Sequence, residues 1–190
     1  PASSSHALIG GLLGAVILGS GAGALELAGL AKVAIALFTS PLIGFAAGYL
    51  VMFLTRQMSR DATPKVNALF KRAQLPTGFI LALSHGTNDA QKTMGIITLG
   101  LVVLGFQPTF EVPWWVIVIS AAAIGLGTVF GGWRIINTLG RKFYRIRPIH
   151  SFSTQIASAV VILGASLLGG PVSTTHVVSM SVLGVGAAER

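Results

Sequence analysis

Four long apolar runs, Val33–Leu54, Thr77–Phe106, Pro113–Trp133 and Phe152–Leu168, leave this chain few ways to fold. A helix needs about 20 apolar residues to cross a bilayer, and the first and third runs meet that directly. Only 9% of the 190 residues are charged and 53% are hydrophobic. A soluble domain carries about 25% charged residues, because its surface must face water. Most of this surface must face lipid instead. The 24 glycines agree, since small residues let membrane helices approach closely, and they show no Gly-X-Y period.

Net charge is +8, which in a soluble protein would point to nucleic acid. Placement argues otherwise. Ten of the 13 Lys and Arg fall in two clusters: Arg56, Arg60, Lys65, Lys71 and Arg72, then Arg134, Arg141, Lys142, Arg145 and Arg147. Both lie between apolar runs, as the positive-inside rule expects of cytoplasmic connections. Basic loops are therefore expected at about 55–76 and 134–150, and no nucleic-acid partner. Trp114, Trp115 and Trp133 sit near the ends of the third run, where interfacial aromatics belong. With no cysteine, the chain has no disulfide, thiolate metal site or Cys nucleophile. It opens on Pro1 without a Met or a signal-peptide region, and reads as one transmembrane domain, 1–190, cut from a longer protein.

Two further apolar runs, Ala7–Leu18 and Val177–Ala188, are a dozen residues each. At 1.5 Å per residue they reach only about 18 Å, roughly half a bilayer. Each follows a similar hexapeptide: Pro1-Ala2-Ser3-Ser4-Ser5-His6 and Pro171-Val172-Ser173-Thr174-Thr175-His176. The pattern Pro-x-Ser-[Ser/Thr]-[Ser/Thr]-His thus occurs twice, which marks an internal repeat. With both basic clusters inside, and Phe152–Leu168 ending at the midplane, the two half-length helices run in opposite senses. Such inverted repeats are common in secondary transporters. If the 17 residues of Phe152–Leu168 span instead, the second motif lies at the outer surface.

These hexapeptides look like helix starts, with proline in the first turn and hydroxyls capping amides. A helix N-terminus presents N–H groups and the positive end of the dipole. Ser3, Ser4 and Ser5, with Ser173, Thr174 and Thr175, add neutral donors suited to a tetrahedral oxyanion such as phosphate or sulfate. The blander reading makes them caps only. The second long run is interrupted by Ser84-His85-Gly86-Thr87-Asn88-Asp89-Ala90-Gln91-Lys92, read here as a break in the helix. Charge deep in a membrane segment marks a functional site by default. Asp89 and Lys92 are the clearest such charges, and Glu26 is weaker because it lies near an outer loop. Asn88 and Asp89 offer the hard oxygen ligands that Na⁺ prefers, or a carboxylate that takes up a proton. Asp89 would repel an anion and is assigned to the coupling ion. The competing account is a cap within a membrane bend, with Lys92 snorkelling. His6, His85 and His176 are accessory candidates, together with Gln91 and Lys92; each histidine is as readily a structural hydrogen-bonding group. Pro41 kinks its helix.

The run Ser84–Gly95, followed by Pro171–His176, resembles the inorganic phosphate transporter (PiT) family, especially its bacterial low-affinity permease branch. Pro1–Gly11 is similar to the family's first-repeat serine motif, and the likeness extends over essentially the whole chain. The resemblance implies an all-α membrane protein: a polytopic helical bundle with inverted repeats, a broken helix and re-entrant half-helices. It implies symport of inorganic phosphate with Na⁺ or H⁺ through a multi-pass protein of the cytoplasmic membrane. The two hydroxyl motifs would lie at the tips of re-entrant hairpins around the substrate, with Asn88 and Asp89 in the substrate and cation site. The family's other Asn-Asp or His-Asp motif would lie upstream of Pro1, and a further helix would follow Arg190. No enzymatic activity and no cofactor beyond the coupling ion is expected.

Three rivals stay open. Sulfate has the same shape as phosphate, and a metal–phosphate complex is a variant substrate. A passive anion channel shares most of these features. An intramembrane hydrolase could be built from Ser, His and Asp, but no Gly-x-Ser-x-Gly elbow is present.

Overall fold

The computed structural model describes residues 3–60, 66–140, 147–170 and 172–189, with the side chains of 133–140 left out. Among the described residues every regular element is a helix: α1 Ser4–Ser20, α2 Leu27–Met58, α3 Val66–Val103, α4 Trp114–Gly140, α5 Pro148–Leu167 and α6 Thr174–Ala188. A single 3-10 turn, Ala22–Ala24, links α1 to α2. Among the described residues three helices are long and apolar enough to cross a membrane: α2, α4 over Trp114–Gly132, and α5. The all-α membrane architecture is thus as expected. The two half-length runs are the shortest helices, at 17 and 15 residues.

Two expectations about continuity are corrected. The polar run Ser84–Lys92 does not break its helix, and α3 passes through it without interruption over 38 residues. The reason is local. Ser84 Oγ donates to the Ile80 carbonyl, His85 and Lys92 both reach Asp89 from one turn away, and Thr93 Oγ1 donates to the Asp89 carbonyl. Polar side chains at i,i+3 and i,i+4 spacing satisfy one another on a helix and need no break. The basic segments are also more helical than loops of 55–76 and 134–150 would be. Arg56 lies in α2, Lys71 and Arg72 in α3, and Arg134 in α4. Lys65, Arg141, Lys142 and Arg145 fall outside the described residues.

The chain divides into two compact units: Pro1–Ser84 with Arg147–Arg190, and His85–Ile146. In the first, α2, α5 and α6 pack on one another, and the early part of α3 joins α5 through Phe70 and Phe152, whose rings lie 5.2 Å apart. Gln74 Nε2 donates to the Pro148 carbonyl in the same contact, at 3.1 Å. The packing is inside-out relative to a soluble protein. Ser40, Thr55, Ser153, Ser158 and Ser181 are buried, whereas Ile35, Phe38, Leu42 and Leu50 of α2 are exposed. Such a surface suits a solvent of hydrocarbon. Small and hydroxyl residues at the contacts let backbones come together.

That closeness is greatest between α2 and α6. A Cβ at Gly44 would stand 2.8 Å from the Val177 carbonyl oxygen, one at Gly48 would fall on that of Ser181, and one at Gly184 on that of Phe45. Ser181 Oγ closes the contact by donating to the Gly44 carbonyl at 3.0 Å. Pro41 sits inside α2, which continues on either side of it. The second unit contains the rest of α3 and α4, whose Val116 and Ser120 are buried. Trp114 and Trp115 open α4 and are exposed.

Candidate functional site

The hydroxyl repeat in the sequence is also a repeat in local geometry. Ser3 caps α1 and Ser173 caps α6, both in extended conformation, with φ/ψ of −103°/113° and −86°/100°. Each side-chain oxygen accepts from the backbone N–H of the motif histidine, His6 at 3.3 Å and His176 at 3.4 Å. This is an N-cap bond to the third helical residue. Because α1 begins at Ser4 and α6 at Thr174, the motif prolines precede the helices rather than forming their first turns. Pro1 and Pro171 themselves lie outside the described residues.

The fold then brings the two copies together. Ser5 Oγ donates to the Val172 carbonyl at 3.0 Å, across 167 positions. The rings of His6 and His176 meet edge-on, centroids 5.2 Å apart and planes at 62°. Ser5, Val172, Ser173 and Thr174 are buried, Ser3 and Thr175 partly so, and Ser4 is exposed. Two helix N-termini thus converge in one polar junction. The hydroxyls differ in what they can still do. Ser5 spends its one proton on Val172, so in this arrangement it cannot also donate to an anion. Ser3 Oγ stands 2.8 Å from His6 Nδ1 as well as capping α1, and the tautomer of the ring sets which of the two donates. Neither the Val172 acceptor nor the ring contact was foreseeable from the hexapeptides, since one partner is a backbone carbonyl and the other lies far along the chain.

The second unit holds the other candidates. On α3, Asp89 is flanked by two side chains of its own helix, an ammonium and an imidazole. Lys92 Nζ lies 2.9 Å from Oδ1, and His85 Nε2 lies 3.1 Å from Oδ2. Asn88 is buried, and its Nδ2 donates to Asp89 Oδ1 at 3.4 Å. Gln91 is exposed. Each carboxylate oxygen therefore has a partner one helical turn away, a tethered ammonium on one side and an imidazole on the other. A monovalent cation entering here would have to share or displace the Lys92 contact. No cluster of three or more His, Cys, Asp or Glu that could hold a metal exists among the described residues. Glu26 precedes α2 and caps it without a side-chain bond.

Comparison with known proteins gives these features a context. The sequence model of the phosphate transporter family matches residues 1–190. A probable low-affinity inorganic phosphate transporter of Bacillus subtilis is 44% identical over 192 residues, covering all of this chain and 58% of its own length. Its counterpart in Rhizobium meliloti is 43% identical with the same coverage. A putative phosphate permease of Thermococcus kodakarensis is 34% identical over 76% of this chain and 38% of its own length. The chain thus spans a little over half the length of the Bacillus subtilis and Rhizobium meliloti relatives. A solved structure, the sodium-dependent phosphate transporter, superposes with a TM-score of 0.85 over 99% of this chain and 64% of its own. At 22% identity that is a likeness of fold. With a family match over its full length, the chain belongs to the phosphate transporter family.

Proposed function

We propose that this chain takes part in secondary active transport of inorganic phosphate, by symport with Na⁺ or H⁺, as part of a multi-pass protein of the cytoplasmic membrane. One observation carries the reading most: two helix N-termini bearing the same hydroxyl motif converge, Ser5 to Val172 and His6 against His176. N–H groups in the first turn of a helix have no helix carbonyl to bond, and the dipole adds positive potential there. A junction of two such ends with neutral hydroxyls can hold a tetrahedral oxyanion without the fixed charge that would keep it from leaving. Release matters as much as capture in a transporter.

In this reading Ser3, Ser4, Ser5, Ser173, Thr174 and Thr175 are the phosphate-binding residues of the first unit, Ser5 donating once its bond to Val172 opens, and Asn88 is the phosphate-binding candidate of the second. Asn88 and Asp89 serve the coupling ion, Na⁺ at the Asp89 carboxylate or a proton on it. His6, His85, Gln91, Lys92 and His176 are accessory. The two half-length helices are the re-entrant arms of an inverted repeat. The names of the bacterial relatives support phosphate as the cargo, and the sodium dependence in the name of the fold relative favours Na⁺. Transport involves no covalent chemistry, so no catalytic residue is assigned.

The test is radiolabelled phosphate uptake by the full-length protein in liposomes, with and without Na⁺ and pH gradients, against excess sulfate. Uptake that follows one gradient and resists sulfate is expected. Uptake that sulfate abolishes would make it a sulfate carrier, and flux indifferent to both gradients would make it a channel.

A further inference from the structure

The end of α2 carries a feature the transport reading does not use. Tyr49, Phe53, Arg56 and Gln57 fall within an arc of about 100° on α2, at 3.6 residues per turn. Arg60 follows in the turn after the helix, its N–H donating to the Gln57 carbonyl at 3.3 Å. With Ala188 at the end of α6, these residues line a cavity of about 430 Å³.

Arg56 is fixed in place. Its Nη1 donates to the carbonyls of Ala188 and Glu189, at 3.2 and 3.1 Å, which are end carbonyls that a helix leaves without donors. One nitrogen makes both bonds, and a guanidinium has five N–H donors, so Nη2 and Nε stand outside this contact. The nearby acid does not neutralise the cavity. The Glu189 carboxylate lies 3.6 Å from Arg147 Nη1 and 3.2 Å from His150 Nε2, the latter outside hydrogen-bond alignment. The lining thus holds two guanidinium groups and no carboxylate.

Along about 12 Å of helix the lining changes from aromatic rings to guanidinium groups. That gradient suits a molecule that is apolar at one end and anionic at the other. A lone oxyanion would use only the arginine end, and cavities of roughly 300–1,000 Å³ take much larger ligands. Aromatic side chains favour the membrane interface, and basic residues beside it attract anionic headgroups. We propose that this cavity binds the headgroup of an anionic phospholipid. Its phosphodiester lies against Arg56 and Arg60, and its glycerol and first acyl carbons lie on Tyr49 and Phe53.

The test uses the full-length protein, exchanged into vesicles of phosphatidylglycerol or phosphatidylcholine, extracted, and weighed by native mass spectrometry. Phosphatidylglycerol should stay bound and phosphatidylcholine should not. Arg60→Gln should lower retention about fivefold, while Arg60→Lys keeps most of it. Arg72→Gln, which removes the same charge from an exposed position on α3, should change nothing. Arg56 is left alone because it also ties α2 to α6. Excess inorganic phosphate should not displace the lipid. Several results would overturn the proposal. Equal retention of both lipids, or no retained lipid because the cavity is filled by other parts of the protein, would end it. So would an equal effect of Arg72→Gln, which would mean diffuse attraction, or displacement by inorganic phosphate, which would mean a free-anion site.

Discussion

The Ser5 hydroxyl donates to the Val172 carbonyl at 3.0 Å, although 167 positions separate the two residues. This bond ties one copy of the repeated hexapeptide to the other at a buried point. Val172 lies in the segment between α5 and α6, where its carbonyl accepts this bond. Ser5→Ala should therefore cost about 0.5–1.5 kcal/mol, the net worth of one intramolecular hydrogen bond. Differential scanning fluorimetry of the full-length protein in detergent reads this directly. Phosphate uptake should lose affinity rather than maximal rate, because the two N-termini are then less well held together. A Ser5→Ala protein with unchanged stability would show that the contact carries nothing.

Ser3 and Ser173 cap their helices by accepting from the backbone N–H of the motif histidines, and the His6 ring also meets Ser3 Oγ at 2.8 Å. Replacing both by asparagine should therefore preserve the Ser3 and Ser173 caps while removing the edge-on ring contact. Aromatic pairs of this kind are worth about 0.5–1.5 kcal/mol, and a loss of that size is the expected drop in stability of His6→Asn/His176→Asn. Gradient-driven uptake should survive. Loss of all uptake in a folded double variant would instead give the rings a part in proton movement.

Asp89 faces a tethered competitor for any cation it binds, the Lys92 ammonium at 2.9 Å. Asp89→Asn should abolish cation-coupled uptake while leaving the protein folded in the membrane. Lys92→Gln should have the opposite sign on affinity: the coupling cation no longer displaces a fixed charge, so half-maximal activation comes at a lower concentration. Both are read as phosphate uptake against cation concentration in proteoliposomes. Normal gradient-driven uptake by Asp89→Asn would remove Asp89 from the coupling site.

How far the sequence reveals this arrangement depends on what each feature needs in order to be seen. The spanning helices are legible because membrane helices are recognised by apolar length alone, and α2 and α4 overlap their runs closely. The repeat is legible because it is written in side chains. The course of α3 is not. Seven polar residues among the nine of Ser84–Lys92 look like a break in an apolar run, whereas on a helix Asp89 falls one turn from both His85 and Lys92. A carboxylate with two such neighbours is a reason for the helix to continue. The Ser5–Val172 bond and the grip of Arg56 on the end of α6 both end on carbonyl oxygens. Every residue has one, so no pattern of residue types could have pointed to these. The glycines belong to the same class: composition shows that they are many, and only the packed helices show which of them matter.

Gly48 is one that matters. A Cβ there would fall on the Ser181 carbonyl oxygen, and backbone cannot swing aside as a flexible side chain can. The neighbouring Ser181 hydroxyl is already bonded to the Gly44 carbonyl at 3.0 Å, which holds α6 in register on α2. Gly48→Ala should therefore push α6 away and cost about 1–3 kcal/mol, as overpacking does. Gly10→Ala on α1 and Gly95→Ala on α3 are the controls, since an added Cβ meets nothing within 4 Å at either position. Alanine favours a helix over glycine by up to about 1 kcal/mol, so the controls should be neutral or stabilising. The measurement is the thermal midpoint of the detergent-solubilised protein, followed by size-exclusion fluorescence. A loss confined to Gly48→Ala would tie stability to the α2–α6 contact. Equal losses at all three positions would mean that glycine acts here through backbone freedom and not through close approach.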